Sequence, residues 1–234
     1  MCTLTYIPKS DEFLLTSNRD EAKSRKVAHF PVYKEINEQK VLFPQDGDAL
    51  GSWIATSKNR LVNLLNGAWE NYQHQPPYRK SRGIVLLESY EFDELEDFAL
   101  NYNFDNIAPF TLVGLDFKNN LKMEVLRWDE KSMAYEELDA EKPHIFSSAP
   151  LYPKSIQHER EKLFADFLKE KDEITATDMI NFHQFGGSEN APIKLDESHF
   201  VHTLSITSVE KKKNEVKMQY HDLIQNEVMQ QTVS

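Results

Sequence analysis

Short apolar runs separated by polar turn residues open the chain. Thr3 to Ile7 and Phe13 to Ser17 are β-prone, and Pro8-Lys9-Ser10-Asp11 between them is a turn-forming set, so a hairpin is predicted. A second hairpin is predicted where Ser52-Trp53-Ile54-Ala55-Thr56 and Leu61-Val62-Asn63-Leu64-Leu65 flank a two-residue Lys58-Asn59 turn. After the basic stretch Arg79-Lys80-Ser81-Arg82 the pattern predicts two helices, at 83–90 and from Asp93 to Tyr102. Strands resume at Phe110–Phe117 and Leu121–Trp128, joined by Lys118-Asn119-Asn120, and Ile145-Phe146-Ser147-Ser148 reads as another.

Pro153 can open a helix to about Lys169, with Ile156, Leu163, Phe164, Phe167 and Leu168 on one face. Thr175 with Asp178 has the form of a capping box before a short helix through Phe182. A last hairpin joins Val201–Val209 to Glu215–His221, and Lys211-Lys212-Lys213 is its expected turn. The order of strands, helices, strands, helices, strands predicts sheets covered by helices rather than a doubly wound parallel fold. No repeat, low-complexity tract or linker interrupts it, so residues 1–234 are expected to form a single domain.

Composition narrows the class. Hydrophobic residues make up 40% and charged residues 28%, as in an ordinary globular protein. The net charge of -11, with no long basic run, argues against nucleic acid as a partner. No apolar stretch approaches the ~20 residues that span a bilayer, so no transmembrane segment is expected. The start of the chain lacks a basic stretch followed by an apolar core, and a signal peptide is not expected. The single cysteine cannot form an internal disulfide, which fits a reducing compartment, and the expectation is a soluble, acidic, cytoplasmic protein. Gly47, Gly51 and Gly67 bracket one segment, and Gly186-Gly187 mark a loop.

The chemistry centres on Cys2 and on the polar cluster Asn18-Arg19-Asp20-Glu21. A three-residue loop in the first hairpin would pair Cys2 with Asn18 and place Asp20 on the face of Cys2; a two-residue loop would pair Cys2 with Arg19. Either way the thiol lies beside the cluster. In the second hairpin the Lys58-Asn59 turn pairs Trp53 with Leu64 and Gly51 with Asn66, so Asn66 falls at a strand end, where an amide can serve as an oxyanion donor. If Met1 is removed, Cys2 carries a thiol and a free α-amine, whose reference pKa of about 7.7–8.0 suits it to act as base. A nearby arginine favours the thiolate and an aspartate can orient the amine.

Elsewhere, eight histidines form no Cys/His cluster and no His-Glu-x-x-His spacing, so no metal site is expected. His74, His144, His158, His183, His199 and His221 read as surface or satisfied residues. Trp53, Trp69 and Trp128 are expected in the core or at a cleft mouth, with Trp69 and Tyr72 the better cleft candidates.

The opening MCTL followed by SNRDE resembles the NRDE family, the proteins like transport and Golgi organisation protein 2. The segments GSWIATSKNRLVNLLNGAW, SRGIVLLESY, SSAPLYPKSIQHEREKL and VHTLSITSVE resemble later parts of that family. The resemblance implies an α+β fold, a four-layer αββα sandwich of antiparallel sheets like the N-terminal nucleophile hydrolases. The choloylglycine hydrolases and penicillin V acylases would be mechanistic relatives. By position Cys2 then matches the nucleophile, Asp20 the aspartate that contacts its amine, and Asn66 the oxyanion asparagine. Arg19 supplies a cation nearby, although those hydrolases carry arginine where this chain has Ser17.

The remaining substrate-binding candidates are Asn18, Glu21, Trp53, Trp69, Ser148 and His202. Ser148 stands where the hydrolases have a second asparagine, and His202 where the family has arginine; Arg25-Lys26 replaces the family's Arg-Pro. Cys2, Asn18, Arg19, Asp20 and Asn66 are expected to converge at one end of the sheets, with His202 entering the same region. Two functions follow from the resemblance. One is hydrolysis of a non-peptide amide of a small acyl compound, with no cofactor required. The other is non-catalytic handling of a small-molecule ligand in haem or lipid trafficking, where Cys2 or His202 could ligate haem iron.

Overall fold

The computed structural model describes residues 3–10 and 12–233, and begins with strands β1 (Thr3–Lys9) and β2 (Glu12–Ala22). Lys9 pairs with Glu12 and Leu4 with Ser17, which is the register of the two-residue loop. β2 runs on past Ser17 to Ala22, so Asn18-Arg19-Asp20-Glu21 lies within a strand rather than in a turn. Four more strands follow: β3 (His29–Ile36), β4 (Gln39–Gln45), β5 (Ile54–Thr56) and β6 (Arg60–Asn66). Next come α1 (Arg82–Glu88), a 3-10 turn at Ser89–Glu91, and α2 (Leu95–Asn101). β7 (Phe110–Asp116), β8 (Lys122–Trp128), β9 (Met133–Leu138) and β10 (His144–Ser147) precede α3 (Lys154–Lys169) and α4 (Ala176–Phe185). β11 (Val201–Lys212), β12 (Glu215–Asp222) and β13 (Glu227–Val233) close the chain.

The strands form two antiparallel sheets, ordered β10-β1-β2-β11-β12-β13 and β3-β4-β5-β6-β7-β8-β9. The contacts divide the chain into two compact units, one from the residues before Lys26 together with Glu141–Thr232, the other from Lys26–Ala140 with the last residues from Val233 on. In the first unit β1 and β2 lie inside the sheet, although their neighbours β10 and β11 come from far along the chain. Ile7 and Leu14 pack with Phe164 of α3 and with Met179 and Phe182 of α4, so the two helices cover one face of this sheet. Phe167 and Leu168 join that cluster from the predicted face of α3, and Ile156 joins a second with Tyr152, Leu195 and Val201. The capping box is present: Thr175 Oγ1 accepts from the Asp178 amide, and Asp178 accepts from the Thr175 amide at 2.9 Å. Lys211 and Lys212 belong to β11, so the predicted lysine turn narrows to Lys213-Asn214, with Lys213 at φ 51°.

The second unit is a meander in which each strand pairs with the next. β5 and β6 pair Thr56 with Leu61 and Ile54 with Asn63, the register the Lys58-Asn59 turn predicts, and the Leu64 amide donates to the Trp53 carbonyl at 2.8 Å. Beyond Trp53 the expected pairing of Gly51 with Asn66 gives way. Gly51 abuts Gly83 at the start of α1, so close that a Cβ there would lie 2.4 Å from the Gly83 carbonyl carbon. Val85, Leu86 and Leu87 of α1 and Leu95 and Phe98 of α2 pack on Val62, Leu64, Leu112 and Leu126 of this sheet. Among the described residues, no helix is long and apolar enough to cross a membrane, and no group of three or more His, Cys, Asp or Glu could hold a metal ion.

Candidate functional site

The first unit places Asp20 at the end of a run of buried polar residues on β2. Thr16, Ser17, Asn18 and Asp20 are wholly buried, and Arg19 is 4% exposed. β2 is an inner strand, paired with β1 as far as Ser17 on one side and with β11 from Phe13 to Ala22 on the other. Successive side chains of a strand point to opposite faces. Asn18 and Asp20 therefore share the face covered by α3 and α4, and Arg19 points the other way.

Both Asp20 carboxylate oxygens accept hydrogen bonds from hydroxyls. Thr203 Oγ1 donates to Oδ1 at 2.7 Å, and Tyr152 OH donates to Oδ2 at 3.0 Å. Thr203 sits opposite Asp20 on β11, next to a bulge between Thr203 and Ser205, and its own oxygen accepts the Leu195 amide at 2.9 Å. Burial pushes the Asp20 carboxyl above its ordinary range, while the two hydroxyls and the Arg160 charge pull it back. Burial, followed by the charge of Asp20, holds the Tyr152 phenol well above its usual range, so it remains a donor.

Arg160 is wholly buried in α3. Its guanidinium carbon lies 3.6 Å from the centre of the Tyr152 ring, a cation–π contact. Nη1 donates to Thr3 Oγ1 at 2.7 Å, and Nη2 donates to the Pro192 carbonyl. One side chain thus joins the start of β1, the ring that holds Asp20, and the loop leading to β11. Arg160, Tyr152 and Thr203 were not among the site residues read from the sequence. A signal for Arg160 was present: it lies between Ile156 and Phe164, four residues from each, on the apolar stripe of α3 where an unpaired charge is not tolerated.

Asn18 belongs to a second buried network. Its Nδ2 donates to the carbonyls of His183 at 3.3 Å and Ile193 at 3.0 Å, which fixes its amide oxygen as the acceptor from His183 Nδ1 at 2.8 Å. The opposite ring nitrogen, Nε2, accepts from the Thr5 hydroxyl at 2.7 Å. Desolvation, reinforced by the Arg160 charge, pushes His183 down to about 3, so the ring is neutral with its proton on Nδ1. His183 is a satisfied histidine, as its class was read, and the polar groups of Asn18 are engaged within the fold.

The other candidates are distributed as follows. Arg19 faces Tyr220, whose hydroxyl burial pushes up to about 12 while the Arg19 charge acts in the opposite sense. Glu21 pairs in register with His202 and makes an ion pair with Arg25 at 3.8 Å. His202 is 7% exposed, and its Nδ1 is buried with no hydrogen-bond partner among the described residues. Ser148 is buried, and its carbonyl accepts the amides of Leu151 and Tyr152, turning the chain so that Tyr152 meets Asp20.

In the second unit Asn66 ends β6, opposite Phe110. The chain turns at Gly67, whose φ of 78° suits glycine, and its amide donates to the Pro109 carbonyl at 2.9 Å. Trp53 and Trp128 are buried, and Trp69 is exposed. The Tyr72 hydroxyl accepts from Arg82 at 2.7 Å. Cys2 lies outside the described residues.

Two antiparallel sheets with helices on them, in this chain order, define an N-terminal nucleophile hydrolase-like α+β fold. The crystal structure of a variant of conjugated bile acid hydrolase from Clostridium perfringens is similar to it, with a TM-score of 0.60 at 11% sequence identity, covering 99% of this chain and 92% of that one. The likeness shows the fold. The chain itself belongs to the Transport and Golgi organisation 2 family, whose model matches residues 1–231. No curated protein matches it.

Proposed function

We propose that this protein is a cysteine N-terminal nucleophile hydrolase that cleaves a non-peptide amide of a small acyl compound. The observation that carries the reading is Asp20, a carboxylate buried near the start of the chain and gripped at both oxygens by hydroxyls. A carboxylate in such a setting is suited to receive an ammonium group, and removal of Met1 would create one on Cys2.

The α-amine of Cys2 takes the thiol proton, and the thiolate attacks the amide carbon. The carbonyl electron pair moves onto oxygen, and the Asn66 amide is the donor we assign to it from the family resemblance, a role worth roughly 3–4 kcal/mol. The ammonium returns the proton to the departing nitrogen as the C–N bond breaks, leaving a thioester and a free amine. Water, giving its proton to the α-amine, then attacks the thioester, and the carboxylic acid leaves as the thiol is restored. Asp20 stabilises the transient ammonium and Arg19 supplies positive charge on the opposite face of β2. Glu21, Trp53, Trp69, Ser148 and His202 are the side chains we assign to substrate binding, and Asn18 acts by holding β2 in place.

Intact-mass measurement of the purified protein should show loss of Met1. Incubation with an activated short-chain acyl ester should then add one acyl group at Cys2, and Cys2→Ser should add none. Asn66→Ala should slow acylation about 10²–10³-fold. A retained Met1, or a Cys2 that stays unlabelled, overturns the reading.

A second reading, a handler of haem, has one observation in its favour: the buried Nδ1 of His202 with no partner among the described residues. A histidine nitrogen can ligate haem iron. Titration with haem should then shift the Soret band, and His202→Ala should abolish the shift; a spectrum unchanged from free haem counts against it.

A further inference from the structure

We propose that Arg160 is a positioning residue that clamps the first residues of β1 in a fixed relation to Asp20. The inference rests on the hydrolase reading and names a part of its machinery outside the reacting groups. Three contacts define the clamp. Nη1 holds the Thr3 hydroxyl, and Thr3 follows Cys2 in the chain. The guanidinium plane lies over the Tyr152 ring, whose hydroxyl holds Asp20. Nη2 holds the carbonyl of Pro192, in the loop whose Leu195 amide reaches Thr203, the second partner of Asp20.

A fully buried guanidinium is costly unless its charge is compensated and its donors are used. A structural role alone does not require that cost, because leucine or methionine on the same stripe of α3 would pack against the sheet without it. What arginine provides and an aliphatic side chain does not is a rigid fork with a flat face, able to fix a hydroxyl, a carbonyl and an aromatic ring at once. The charge also lies close enough to Asp20 to favour its ionised form, the form that would hold an ammonium.

Cys2 is the only cysteine, so the rate of iodoacetamide alkylation against pH reports on that thiol directly, with no substrate required. The proposal expects a wild-type profile displaced from that of a free cysteine, about 8.5. Arg160→Lys, Thr3→Val and Tyr152→Phe should each move the midpoint back toward that value by about half a pH unit or more. Thr3→Val conserves volume and Tyr152→Phe removes one oxygen, so the test survives if an Arg160 variant does not fold. Thr175→Ala, which removes the cap of α4 and touches none of these contacts, is the control: it should lower the melting temperature and leave the profile unchanged.

A wild-type thiol that already titrates as free cysteine overturns the clamp, as do variants that keep the wild-type profile or a control that moves it equally. The hydrolase reading fails on a different result, the absence of a Cys2 acyl adduct. A wild type that acylates while the clamp variants keep its alkylation profile would sink this inference alone.

Discussion

His183 ties the stability of the first unit to pH. Its folded-state pKa of about 3 arises from burial first and the Arg160 charge second, whereas an imidazole in an unfolded chain titrates near 6.5. Below about pH 6.5 the unfolded chain binds a proton that the folded one refuses, so stability falls with pH by up to about 1.4 kcal/mol per unit, until the folded ring itself titrates. Asp20 acts in the opposite direction. Its raised carboxyl contributes stability at low pH that is lost as the pH climbs from the unfolded value through the folded one. The two effects are separable by substitution. Thermal unfolding of the wild type and of His183→Gln between about pH 7 and about pH 4.5 should show the wild type losing stability more steeply. Parallel curves would mean that the ring takes up its proton in the folded state.

Among the elements, the seam between the segment before β5 and the start of α1 is unforgiving. Gly51 and Gly83 meet backbone to backbone: the Ser52 amide donates to the Gly83 carbonyl at 3.1 Å, and a Cβ on Gly51 would also lie 2.6 Å from the Ile84 nitrogen. Those atoms belong to main chain and cannot swing aside. Gly51→Ala should therefore cost about 1–3 kcal/mol, a fall in melting temperature of roughly 2–4 °C per kcal/mol for a chain of this size. An unchanged melting temperature would show that the segment can shift. The sequence made many of the elements legible, but it did so unevenly. Strands with an apolar face, such as β6, β7 and β11, stood out, and the register of the second hairpin followed from its turn. β3, β4, β9 and β13 did not. Three of them, β3, β9 and β13, are sheet edges, and most of their residues are exposed or half-exposed, so hydrophobic alternation is weak there. Edge strands are kept polar for a physical reason, since an apolar edge invites pairing with another chain.

Across the whole molecule, the candidate site was half legible. Motif chemistry pointed to Asp20 because acidic residues in a polar cluster are visible in one dimension. Its partners were not visible, because Tyr152 and Thr203 lie 132 and 183 residues further along the chain. Nothing local distinguishes them from any other tyrosine or threonine; only the insertion of β2 between β1 and β11 brings them to the carboxylate. That long-range closure has a temporal consequence. A ribosome adding about 5–20 residues per second needs roughly 10–40 seconds to pass from Asp20 to Thr203. Throughout that interval the aspartate lacks the Thr203 hydroxyl, and for most of it the Tyr152 hydroxyl as well, while the amino terminus has already emerged into the reach of methionine aminopeptidase. On the hydrolase reading proposed above, trimming of Met1 would therefore come before the carboxylate that is to receive the new ammonium has gained its hydroxyl partners.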